Sequence, residues 1–157
     1  MSTLHKIKAE AWPIARPSTS HRPILEKIVI ESHHPGGNGV VTLGPDQSLY
    51  VHSRLSSIVS AFLRGHDSYV RNLGVEQLPI DHEHELSASG AKVWPIRHVS
   101  NGVPVLEKVV IESNHPDGHG PISLSPEQTD YIYRRLTQIN LAFLHENVWG
   151  GESSIGQ

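Results

Sequence analysis

Apolar positions recur along this chain with two different periods. Residues 25–31 and 106–112 are rich in β-branched side chains, with Ile28 and Ile30 pointing one way and Lys27, Val29 and Glu31 the other. A period of two marks strands with one covered face. Val51, Leu55, Ile58 and Phe62 recur at helical spacing, as do Ile132, Leu136, Ile139 and Phe143. Each set makes one apolar stripe that faces a core. The helix starts are also marked. Ser125, Pro126, Glu127 and Gln128 supply an N-cap, a proline at the first helical position, an acid in the first turn and a glutamine that completes a capping box. Gly44, Pro45, Asp46 and Gln47 repeat the pattern with a weaker cap. These signals predict helices over residues 46–63 and 127–145. Further strands are expected over 6–14 and 91–96, both ending in Trp-Pro-Ile, and over 40–43 and 121–124. The prolines place the first strand of each set at a sheet edge or at a strand end. Loops rich in Gly, Pro and His, 33–39 and 114–120, separate the second and third strands of each set.

The chain repeats itself. Residues 23–39, PILEKIVIESHHPGGNG, match residues 104–120, PVLEKVVIESNHPDGHG, and the match runs on at an offset of 81 through 40–64 and 121–145. Trp12-Pro13-Ile14 matches Trp94-Pro95-Ile96 at an offset of 82. Two copies are too few for a solenoid. The expected fold class is therefore α+β: tandem duplicated β-β-β-α units, with antiparallel sheets packed on two amphipathic helices about a pseudo-two-fold axis. The expected division is a first repeat at 1–65, a linker at 66–90 with a short strand at 75–80, a second repeat at 91–148, and a Gly/Ser-rich tail at 149–157.

Composition narrows the function classes. The 157 residues carry 13 Lys+Arg against 16 Asp+Glu, a formal charge of −3, which excludes a strongly basic nucleic-acid binder but leaves room for a local basic groove. With no cysteine there is no disulfide framework, thiol nucleophile or thiolate metal site. No apolar run approaches the roughly 18–20 residues of a membrane span. A cytoplasmic protein with no membrane contact is expected.

Candidate chemistry lies in what both copies retain. His34, Gly37 and Gly39 in the first loop correspond to His115, Gly118 and Gly120 in the second. Glycines permit positive φ and close approach, and successive N–H groups in such a turn can cradle an anion. Each loop leads through a short strand to a helix N-terminus, which favours negative charge. Tyr50 and Arg54 are four residues apart on a helix flank, as are Tyr131 and Arg135. The arginine fork suits phosphate, or a structural carboxylate such as Glu31 or Glu112. Trp12 and Trp94 suit either packing or stacking on bases. These ten loop and helix residues form the expected ligand-binding set.

The 12 histidines raise the question of metal, through Glu31, His33 and His34, through Glu112, His115 and His119, and through His82 and His84 in the acidic run 81–85. None has a fixed metal-ligand spacing, so no metal and no cofactor is expected. Nucleophile-elbow, Walker and dinucleotide motifs are lacking, so no catalytic residue is assigned. The reading is a non-enzymatic binding protein for a phosphate-bearing ligand at paired sites: a nucleotide, a signalling nucleotide or single-stranded nucleic acid. The alternatives are a module that binds or inhibits a partner protein, and a metal-dependent enzyme. A homo-oligomer is expected.

The segment from Gly118 to Gln128, GHGPISLSPEQ, followed by an amphipathic helix, resembles the last strand and helix start of the positive-cofactor-four type of single-stranded-DNA-binding transcriptional coactivators. GNGVVTLGPDQ, from Gly37 to Gln47, is a looser version. The resemblance implies antiparallel sheets followed by a helix, units paired through their helices, and binding of single-stranded DNA.

Overall fold

Alternating strands joined by glycine-bearing loops pair with their sequence neighbours first, because those pairings close the shortest loops. The computed structural model describes residues 7–17, 23–36, 38–64 and 88–145. In it β1 (Ala9–Arg16), β2 (Ile24–Ser32) and β3 (Gly39–Leu43) form one antiparallel sheet in that order. β4 (Ala91–Ser100), β5 (Val103–Ser113) and β6 (Ile122–Leu124) form a second. α1 (Pro45–Ile58) follows β3 and α2 (Pro126–Asn140) follows β6; each continues into wider π-type turns, Val59–Arg64 and Leu141–His145. The fold is thus α+β, with two three-stranded sheets and two helices. No helix among the described residues is long and apolar enough to cross a membrane. The expected strand at 75–80 and the tail at 149–157 lie outside the described residues.

The period-two pattern sorts as the side chains require: Ile28 and Ile30 are fully buried, while Lys27, Val29 and Glu31 are half-exposed on the opposite face. The Trp-Pro-Ile segments do not end their strands. Pro13 pairs with Ile28 and Pro95 with Val109, and the strands run on to Arg16 and Ser100 through a register shift after Ile14 and after Ile96. β1 and β4 are edge strands, so a proline there forfeits no second ladder bond, and the shift lets the strand bend onward.

The helix stripes meet between the sheets. Val51, Leu55 and Ile58 of α1 and Ile132, Leu136 and Ile139 of α2 are buried in one continuous core with inner-face residues of both sheets, and Phe62 and Phe143 pack against it. Each helix covers its own sheet and also runs along the edge strand of the other half, α1 on β4 and α2 on β1. The helices touch through His52, whose ring stacks on Tyr133 at 5.1 Å and an 8° tilt. The Thr137 hydroxyl donates to the Tyr133 carbonyl at 2.9 Å, so its oxygen is left to accept from His52 Nε2 at 2.8 Å. Burial holds the His52 imidazole below its ordinary pKa of 6.5.

The halves exchange buried polar partners. Gln47 Oε1 accepts from the Gly44 N–H at 2.8 Å, and Gln128 Oε1 from the Ser125 N–H at 2.8 Å, closing each helix start. Their amide nitrogens reach into the opposite half. Gln47 Nε2 donates to Gly90 O at 3.1 Å and Asn114 Oδ1 at 2.8 Å. Gln128 Nε2 lies 3.1 Å from Ile7 O, 3.1 Å from Lys8 O and 3.2 Å from His33 O. Ser32 Oγ donates to the Ser123 carbonyl, and Ser113 Oγ to the Thr42 carbonyl at 2.7 Å. The backbone closes the seam where the Thr42 N–H donates to Gly118 O at 2.9 Å.

These bonds give Gln128 a structural task beyond capping. Replacing it with Ala leaves carbonyls of the first half without their donor in a buried setting, which costs about 1–3 kcal/mol. Urea unfolding of Gln128→Ala is expected to show a lowered midpoint with the slope unchanged; an unchanged midpoint would remove this bond set from the account.

Candidate functional site

The loops carry their own internal order. The Gly36 N–H donates to His34 Nδ1 at 2.8 Å, and the Asp117 N–H to His115 Nδ1 at 3.1 Å. Accepting at Nδ1 leaves the neutral imidazole with its hydrogen on Nε2 in both loops. The His34 N–H donates to the Asn38 carboxamide, and the Gly118 N–H to His115 O at 3.2 Å. Much of the loop N–H supply is therefore spent within the loop. The glycines answer to packing. A side chain at Gly118 would meet Thr42 Oγ1 at 2.9 Å. Gly120 has φ +77, and a side chain there would meet Ile111 O at 3.0 Å. Gly39 adopts φ +149 at the start of β3. Gly37 lies outside the described residues.

Tyr131, Arg135 and Arg54 sit against the opposite half's edge strand, and Tyr50 packs against the core. Tyr131 Oη donates to Glu10 at 2.8 and 2.9 Å, to the two carboxylate oxygens, and Arg135 Nε donates to Glu10 Oε1 at 3.1 Å. Arg135 Nη2 caps the edge carbonyl of Ala11 at 3.1 Å. Glu10, on β1, is the carboxylate partner; Glu31 and Glu112, the acids suggested by sequence, belong to β2 and β5. Arg54 Nη2 likewise caps the Val93 carbonyl of β4, at 3.3 Å. Here the correspondence stops, because the residue at the place of Glu10 is Lys92. Arg54 Nε is buried without a hydrogen-bond partner among the described residues. Lys92 Nζ lies 5.0 Å over the Trp94 ring and 3.6 Å from Glu112 Oε1. Trp12, its counterpart on the first sheet, is 36% exposed.

Two lysines that the loop-and-helix reading passed over join the loops from across the seam. Lys27 of β2 donates from Nζ to Asp117 Oδ2 at 2.6 Å. That bond raises the Lys27 pKa and lowers that of Asp117. Lys108 of β5 reaches the first loop, where its Nζ stands 2.7 Å from the point a Cβ on Gly36 would occupy. Partial burial, and then the Lys108 charge, hold the His34 pKa below 6.5. The signal was present in sequence, since Lys27 and Lys108 match in the repeat while Gly36 and Asp117 differ.

The structure thus brings His34 and Lys108 together, and His115, Asp117 and Lys27. It keeps the Tyr–Arg pairs apart from these loops, on the helix flanks. Among the described residues no group of three His, Asp or Glu could hold a metal. His33 Nε2 instead lies 3.2 Å from Glu31 Oε2. A separate depression lined by Leu63, Pro126, Glu127, Asp130 and Arg134 contains none of the expected residues. Comparison with protein families, with characterised proteins and with solved structures gives no match to this chain.

The contact between Lys108 and His34 has a direct readout. Lys108→Gln removes a positive charge that disfavours the imidazolium, so the His34 titration midpoint is expected to move up, while burial still keeps it below 6.5. Proton NMR titration of the His34 ring checks this; an unmoved midpoint would place the two groups apart.

Proposed function

We propose that the chain is a tandem duplicate of a β-β-β-α unit, folded on itself about a pseudo-two-fold axis, and that it is a non-enzymatic binding protein for a phosphate-bearing ligand. The duplication rests on the order of elements in each half and on counterpart bonds at the sequence offset of the repeat, such as those of Ser32 and Ser113. The ligand reading rests on one observation. Where Glu10 and Asp117 meet cations in one set of positions, the corresponding places hold Lys92 and Gly36. Arg54 and Lys92 therefore stand at β4 and Lys108 reaches the first loop, and among the described residues only Lys92 of the three has an acid beside it, Glu112. Cations left short of carboxylates, with an arginine fork and an Nε2–H donor from His34, suit phosphate oxygens. The likeness of the strand-to-helix junctions to the positive-cofactor-four family supports single-stranded nucleic acid as one form of that ligand.

A second reading, contact with a partner protein or a second copy, has its own observation. The β4–β5 hairpin carries Val99 at 64% exposure, opposite Pro104, and Val105 at 37%, opposite His98.

Fluorescence and calorimetric titration of the full chain with pyrophosphate, a nucleoside triphosphate and a single-stranded oligothymidylate tests the first reading. At least one is expected to bind with an affinity that falls as salt rises. A steep salt slope identifies nucleic acid and a shallow one a small nucleotide. A folded protein that binds none of the three at low salt would overturn the reading and leave the hairpin contact in its place.

A further inference from the structure

The two loops have the same internal bond, from the N–H of residue 36 or 117 to the histidine Nδ1 two positions before it. Each is approached by a lysine from the opposite half. They differ in one group. Asp117 extends a carboxylate that Lys27 Nζ grips at 2.6 Å, with Oδ2 3.8 Å from His115 Nδ1. Gly36 extends nothing. Lys108 Nζ stands in the space beside it, 2.7 Å from the position of a Cβ that is itself 3.1 Å from His34 Nδ1. Among the described residues Lys108 has no hydrogen-bond or ion-pair partner, whereas Lys27 has its carboxylate. The first loop is also open, with Gly36 exposed and His34 and Lys108 half-exposed.

We infer that the loops are unequal anion sites: the one formed by Lys108 and His34 beside Gly36 takes a phosphate group of the ligand, and the one formed by Lys27 and His115 is occupied by the chain's own Asp117. This inference rests on the phosphate-binding reading and assigns the group that receives the anion. Asp117 is the internal stand-in. Its carboxylate shows where an oxyanion sits relative to such a lysine, and an arriving phosphate would meet Lys108 Nζ in the corresponding place, beside the His34 ring. The protein then takes one anion per chain, although the repeat carries the lysine, the histidine and the loop twice.

Calorimetry of the full chain with inorganic pyrophosphate at low ionic strength tests this. The native protein is expected to bind one pyrophosphate. Gly36→Asp places the stand-in carboxylate beside Lys108, whose flexible end can yield, and is expected to weaken binding by about tenfold or more. Lys108→Gln is expected to do the same. Asp117→Gly frees Lys27 and is expected to raise the stoichiometry to two; Asp117→Asn, which keeps the side-chain shape, should do so if the glycine variant unfolds. Binding of one pyrophosphate that ignores both Gly36→Asp and Lys108→Gln would overturn the inference and leave the phosphate reading standing. Two equivalent sites in the native protein would do the same. No binding by any folded form would overturn both.

Discussion

Everything in this fold depends on hydrogen bonds that neither half can satisfy alone. The Gln47 and Gln128 amides and the Ser32 and Ser113 hydroxyls are buried, and each donates across the seam, Ser113 being placed between Thr42 O and Gly118 O of its own half. A buried polar group without a partner costs more than a hydrogen bond contributes. Apolar stripes alone would tolerate several ways of stacking two sheets and two helices. The exchanged bonds single out the one arrangement in which α1 lies along β4 and α2 along β1. That arrangement also protects the sheet edges, because Arg54 and Arg135 cap the outward carbonyls of Val93 and Ala11.

The elements were legible because each has a local cause. The period-two segments, the helix stripes and the Pro-bearing helix starts all work through neighbours in the chain. The assembly was less legible, because its partners are remote. Gln128 could be read as the end of a capping box, yet nothing in its neighbourhood says that its other end reaches Lys8. Tyr131 and Arg135 could be read as a pair four residues apart, yet their carboxylate proved to be Glu10, more than a hundred residues upstream. The prolines misled on strand length, since their effect depends on whether the strand is an edge, and that is decided by the sheet. In the loops, sequence drew the eye to glycines that the structure uses for packing, and away from the lysines that approach from the other half.

What distinguishes the halves matters as much as what they share. Glu10 answers Arg135, but Lys92 stands at the corresponding place near Arg54. Asp117 answers Lys27, but Gly36 offers Lys108 no carboxylate. Both differences shift positive charge to the second sheet and its flanks. A chain of net charge −3 can in this way hold single cations, Arg54 at β4 and Lys108 at the first loop, without an acid beside them among the described residues. The shared contacts hold the architecture, and the unshared ones supply the polarity from which the proposed phosphate binding follows.

Because each half completes the other, the chain should unfold as one unit. Differential scanning calorimetry of the full protein tests this most directly, by comparing the calorimetric with the van't Hoff enthalpy. A single transition with the two enthalpies equal is the expected result. Two transitions, or a calorimetric enthalpy about twice the van't Hoff value, would show halves that stand independently and would contradict the account.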